Sequence, residues 1–129
     1  MLDVESRDSK LDELINLSML YDFYGELLSD NKKRVFEDYI LNDLSLSEIA
    51  DQLDITRQGV HDIVKRCTKE LKDYEDRLSL LKKFTRVKHM IENIKDTCSE
   101  ISKSGDLNMI HEIETLADDI LKELWYGVW

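Results

Sequence analysis

Arg57, Gln58, His61 and Lys65 are long polar side chains whose three- and four-residue steps bring them onto the outer face of an α-helix, with Arg66 near its flank. As a set they donate hydrogen bonds. An arginine fork matches the two acceptors on a guanine edge, a glutamine amide matches the donor and acceptor of adenine, and cations neutralise phosphates. This is chemistry of recognition, not of bond making. The chain's many carboxylates are scattered as helix-surface residues, with no Gly-rich phosphate loop and no nucleophile beside a base, so no catalytic residue and no enzyme are expected. Asp62, inside the same stretch, adds a negative charge close to where phosphates would lie and weakens the attraction.

Two short helices must hold that face. Ser45 can N-cap one of them, with Glu48 three residues on reaching back to the cap amide and with Leu44 and Ile49 as a hydrophobic staple. Thr56 can cap the next, with Ile55 and Val60 as its staple, so the Asp54-Ile55 link has to turn the chain sharply. Asp54 stands where such turns often carry Gly, and Asp tolerates the left-handed backbone at some cost. Ile49, Leu53, Ile55, Val60 and Ile63 form the expected buried set, and Ala50 is small where the helices cross. The pattern is a helix-turn-helix over residues 45–66, whose second helix projects its outer face away from the core. Thr56, Arg57, Gln58, His61, Lys65 and Arg66 are the candidate nucleic-acid-binding residues. A helical corner with a solvated charged face is the plain alternative.

The chain has 129 residues, no proline, four glycines and a formal charge of −10. Such a length makes one domain, or a small domain with an appendage, and the composition favours an all-α protein. We divide it into a helix-turn-helix domain over 1–75 and a C-terminal helical extension over 76–129. No stretch has the long uncharged apolar run of a signal peptide or a membrane span, so a cytoplasmic protein without membrane contact is expected. Cys67 and Cys98 are far apart, and His61, His89 and His111 do not cluster, so neither a metal site nor a cofactor is expected. Both cysteines read as structural thiols. The acidic balance argues against indiscriminate phosphate binding, but from Ile55 to Met90 cations outnumber carboxylates while the flanking segments carry the acid excess. The surface should be polarised.

Along the chain, Leu14, Leu17, Tyr21, Tyr24 and Leu28 predict a first helix over 11–28 capped at Ser9, with its aromatics in the core. Ser29 to Asn31 turn and cap a second helix carrying Val35, Phe36, Tyr39 and Ile40, which Asn42 and Asp43 end. Lys32, Lys33 and Arg34 fall in its first turn, where the macrodipole disfavours cations, so stability does not explain them. After the reading helix starts, Val64, Cys67, Leu71, Tyr74, Leu78 and Leu81 continue an apolar stripe, and Phe84, Val87, Ile91, Ile94, Cys98 and Ile101 resume it. Three successive steps of three between Leu78 and Val87 shift the stripe, so a kink is expected over 82–86. Ser102 to Asp106 reads as a loop broken at Gly105, and Leu107 to Leu124 as a last amphipathic helix that folds back on the long one. A homodimer through the long helices would bury what is left. The tail Trp125, Tyr126, Gly127, Val128 and Trp129 either packs or meets a partner.

The run SDNKKRVFEDYILNDLSLSEIADQLDITRQGVHDIVKRCTKELKDYEDRLSLLKKF, with LYDFYGELL before it, closely resembles the YlxM-like helix-turn-helix family of small bacterial proteins. Residues 45–66 also resemble region four of bacterial sigma factors. The resemblance covers about residues 14–90. It implies an all-α fold, a Gram-positive-type bacterial cytoplasm and a regulatory part in the signal recognition particle pathway, beside whose genes the family's genes lie. It maps Arg57, Gln58 and His61 to base-facing positions and Lys65 to a backbone-facing one. DNA is the expected partner. RNA is the intermediate case, since it is read through single strands and stacking and this segment shows no aromatic interleaving. The alternative function is a protein-interaction module that contacts signal recognition particle components.

Overall fold

Leu17, Leu20, Tyr21 and Tyr24 are buried on one side of α1 (Val4–Tyr24), the three- and four-residue spacing of an amphipathic helix that has found its core. The computed structural model describes the backbone of residues 4–126 and the side chains of residues 8–125. All regular structure within that range is helical, and the fold is all-α. Two compact units divide the chain, Met1–Ser79 and Leu80–Trp129.

In the first unit α1 gives way to a 3₁₀ turn (Gly25–Leu27), followed by α2 (Asp30–Ile40), α3 (Leu46–Leu53) and α4 (Arg57–Leu78). The expected cap at Ser9 is absent because Ser9 lies inside α1, whose helix begins earlier and ends earlier than the 11–28 reading. The aromatics hold this unit together. Tyr21 stacks obliquely on Phe36 of α2 at 5.7 Å between ring centres, and Tyr24 stacks on Tyr74 of α4 at 5.9 Å. Their hydroxyls are satisfied from other helices: Tyr21 Oη donates to Glu37 Oε1, and Tyr24 Oη donates to Glu75 Oε1 at 2.6 Å. Burial first, and then the Glu37 carboxylate, push the Tyr21 hydroxyl well above the usual phenol range, so both tyrosines act here as apolar bodies with one anchored polar tip. Phe36, Cys67 and Leu71 complete the core, each large side chain contributing about 1.5 to 3 kcal/mol through burial.

The long helix expected after Thr56 is two helices. Ser79 adopts a left-handed backbone, φ 56° and ψ 28°, and its N–H caps Glu75 O at 2.8 Å. The break therefore stands where the three-residue stepping begins, at Leu78, and not over 82–86. Leu78 is exposed in consequence.

The second unit is a helical hairpin of α5 (Leu80–Ser104) and α6 (Ile110–Leu121), with a 3₁₀ turn (Leu107–Met109) before α6 and a π-helical turn (Lys122–Tyr126) after it. The expected loop is shorter than 102–106, because Ser104 extends α5 by donating to Glu100 O at 2.8 Å. Gly105 then takes φ +71° and Asp106 caps the next turn by accepting from the Asn108 N–H. Arg86 pairs with Glu123 across the hairpin at 3.3 Å. Cys98, expected on the buried stripe, is exposed. Of the aromatic tail, Trp125 is exposed, while residues 127–129 and the Tyr126 side chain lie outside the described residues.

Candidate nucleic-acid interface

The corner between α3 and α4 is built from local hydrogen bonds that the sequence spells out. Ser45 Oγ accepts from the Glu48 N–H at 3.1 Å, and Glu48 Oε1 accepts from the Ser45 N–H at 3.4 Å, a reciprocal capping box. Thr56 Oγ1 accepts from the Gly59 N–H at 3.0 Å. Between them Asp54 is left-handed, φ 54° and ψ 44°, and both its N–H and that of Ile55 reach Ala50 O. Those bonds satisfy the end of α3 and fix the angle at which α4 leaves.

Beneath the corner, Val35, Ile49, Ala50 and Val60 form the buried cluster, with Leu44, Leu53, Ile63 and Val64 among the half-buried side chains packed on it. Ile55 is a correction. It is exposed, because the turn carries it over the start of α4, where its Cδ1 lies 3.9 Å from the place a Cβ on Gly59 would occupy. It lines a groove of about 310 Å³ together with Arg34, Val35 and Leu53.

Thr56, Arg57, Gln58, His61, Lys65 and Arg66 are all exposed. The cap and first turns of α4 thus leave the whole predicted set open to solvent, while Val60 and Cys67 of the same helix are buried. Arg57, Lys65 and Arg66 make no ion pair or hydrogen bond with any described residue. Gln58 is engaged, its Nε2 donating to Asp62 Oδ1 at 3.0 Å, and His61 Nδ1 lies 3.8 Å from the same oxygen, beyond hydrogen-bond reach. Farther along α4, Lys72 is tied to Glu13 of α1 at 3.0 Å.

The basic triplet of α2 divides. Lys32 pairs with Glu70 at 3.4 Å, and Lys33 pairs with Glu26 at 2.6 Å, a contact that raises its pKa. Arg34 is exposed and unpaired among the described residues, on the groove beside the turn. The macrodipole leaves the triplet unexplained, and it is Glu70 of α4 and Glu26 of the preceding 3₁₀ turn that separate the two structural lysines from the available arginine. Among the described residues no group of three or more His, Cys, Asp and Glu is placed to hold a metal ion.

Two capped helices crossing over a shared apolar cluster, with the second presenting an open polar face, define a helix-turn-helix protein. The chain belongs to the family described as "Putative helix-turn-helix protein, YlxM / p13 like", which it matches over residues 11–112. It is 48% identical over 85 residues to a UPF0122 protein of Caldanaerobacter subterraneus subsp. tengcongensis, covering 66% of this chain and 73% of that one. A UPF0122 protein of Thermoanaerobacter sp. (strain X514) is 39% identical over 110 residues, 84% of this chain and 94% of its own. One from Halalkalibacterium halodurans is 35% identical over 107 residues, 82% and 98% respectively. No helix among the described residues is long and apolar enough to cross a membrane.

Proposed function

We propose that this protein is a regulatory DNA-binding protein that lays the start of α4 in the major groove. The observation that carries this reading is the open outer face of α4, where Arg57, Lys65 and Arg66 stand exposed and, among the described residues, unpaired on a helix whose start is fixed by a cap. A chain with net charge −10 that keeps these cations out of ion pairs retains local positive potential where an anion would dock. Arg57, Gln58 and His61 are the base-facing group, with Thr56 at the cap and Lys65 and Arg66 toward the backbone. Arg34 of α2 is a further candidate for a phosphate. The link to the signal recognition particle rests on the gene setting of YlxM-like proteins and names what such a regulator would serve. No catalytic step is part of this reading. A homodimer would put two copies of α4 in one particle.

A mobility-shift titration on duplex DNA at several salt concentrations tests it. Affinity should fall as salt rises, and changing Lys65 and Arg66 together to Glu should flatten the log–log slope by about two, roughly one unit for each lost phosphate contact, with helicity unchanged. Binding without salt dependence, or no binding, overturns the reading.

A second reading has its own support. The second unit exposes Leu121, Leu124 and Trp125 beside the acidic residues of α6, a surface suited to a protein partner such as a component of the signal recognition particle. Pull-down from a bacterial lysate before and after nuclease separates the two. Partners that survive nuclease favour protein contact, and partners lost with it favour nucleic acid.

A further inference from the structure

We infer that Asp62 is a positioning residue for base reading, holding the Gln58 amide in the one orientation that matches adenine. The inference rests on the groove-reading proposal above and names what that face would select.

Asp62 is the sole carboxylate between Arg57 and Lys69, and it is exposed in the middle of the face that would approach phosphates. A charge placed there lowers affinity for any duplex, so it calls for a use. Its Oδ1 accepts from Gln58 Nε2 at 3.0 Å, one helical turn away. Such a pair four residues apart is a favourable helix-surface contact. An ionised carboxylate can only accept, so the NH2 end of the amide must face Asp62 and the carbonyl oxygen must face away. One N–H is then committed to Asp62. The second N–H and Oε1 remain, in a fixed order, and adenine offers N7 as an acceptor and N6–H as a donor on its major-groove edge. An untethered glutamine amide can turn over and present the two groups in either order. The Asp62 contact removes that freedom before binding, which reduces the ordering cost at the interface. Asp62 would thus trade general attraction for discrimination, and His61, 3.8 Å from the same oxygen, flanks the carboxylate on the preceding residue.

Selection from a pool of duplexes randomised over their central positions tests this with the full chain and its Asp62→Ala, Asp62→Asn and Gln58→Ala variants. The native protein should enrich adenine at one position. Q58A should lose that preference, and D62A should lose it too, by about fivefold or more, the lower end of what a bidentate base contact supplies. D62N keeps an accepting oxygen without the charge and should keep the preference. Both Asp62 variants should bind the unselected pool more tightly than the native chain. The side chains changed are exposed, so folding is checked simply by far-ultraviolet circular dichroism. An adenine preference retained in D62A overturns the inference, as does loss of a cytosine preference in its place, which would make Asp62 itself the reader. Failure of every protein, native included, to bind the pool overturns the groove-reading proposal instead.

Discussion

Cys67 shows how far one side chain is governed by its surroundings. It is fully buried on α4, its Sγ lies 3.8 Å from Lys32 O, and burial pushes its thiol up to about 11, against a smaller opposing pull from the Lys32 cation. The thiolate is the reactive form, so a buried thiol held this high is inert in the native state. In a Cys98→Ser variant, which leaves Cys67 as the one thiol, we expect no reaction with Ellman's reagent at pH 8 until denaturant unfolds the first unit. Rapid reaction without denaturant would contradict the burial. The sign of the pH effect follows from the same shift. The native thiol holds its proton more tightly than the unfolded one, which titrates near 9.0, so the stabilisation is intact below pH 9 and is lost as the pH climbs toward 11.

At the scale of elements, the join between α1 and α2 depends on a missing side chain. A Cβ on Gly25 would stand 2.6 Å from Tyr21 Cε2, and the Tyr21 ring cannot retreat because Phe36 packs on it and Glu37 holds its hydroxyl. Gly25→Ala should therefore destabilise the protein by about 1 to 3 kcal/mol, as overpacking does, and lower the melting temperature by several degrees in a calorimetric scan. An unchanged melting temperature would mean that the ring moves freely. That constraint was not legible in the sequence, where Gly25 is merely a glycine near a helix end. Ser45 and Thr56 were legible as caps because each side chain meets an N–H only three residues away, and nothing distant decides that bond. The all-α class followed from the same local rules. Ser79 was not legible as the break. Serine is no strong helix breaker, and its left-handed turn is visible only as a phase change in the stripe around it. Ile55 was misplaced because its apolarity suggested the core while the turn geometry carried it to the surface. The candidate face itself could be read from spacing, but the engagement of Gln58 by Asp62 and the separation of Arg34 from Lys32 and Lys33 needed rotamers and neighbouring helices.

For the molecule as a whole, the second unit leaves a debt of uncovered apolar surface. A hairpin of two helices has one shared seam, and Ile113, Leu116 and Ile120 of α6 are only half-buried in it. No residue of α6 is fully buried. Ile110, Ala117 and Leu121 recur at steps of seven and four, so they form a second stripe along α6, and all three are exposed, as is Leu124 in the π-helical turn after it. Ile91 of α5 and Leu107 are exposed as well. Isolated surface leucines are ordinary, but a helix that is apolar on its seam and again beside it belongs inside a larger assembly. Two such hairpins pairing their second stripes would make a four-helix bundle, the usual way for helical hairpins to finish a core. We therefore expect light scattering after size exclusion to give twice the 15.2 kDa chain mass. Leu121→Glu combined with Leu124→Glu should return the mass to that of one chain while circular dichroism still reports the helices, because both residues are exposed. A native chain of monomer mass across micromolar concentrations would refute the pairing. If the double variant is monomeric and also binds duplex DNA with a salt slope about half the native one, the two copies of α4 act on one duplex together. An unchanged slope in the monomer would instead assign the full set of phosphate contacts to a single chain.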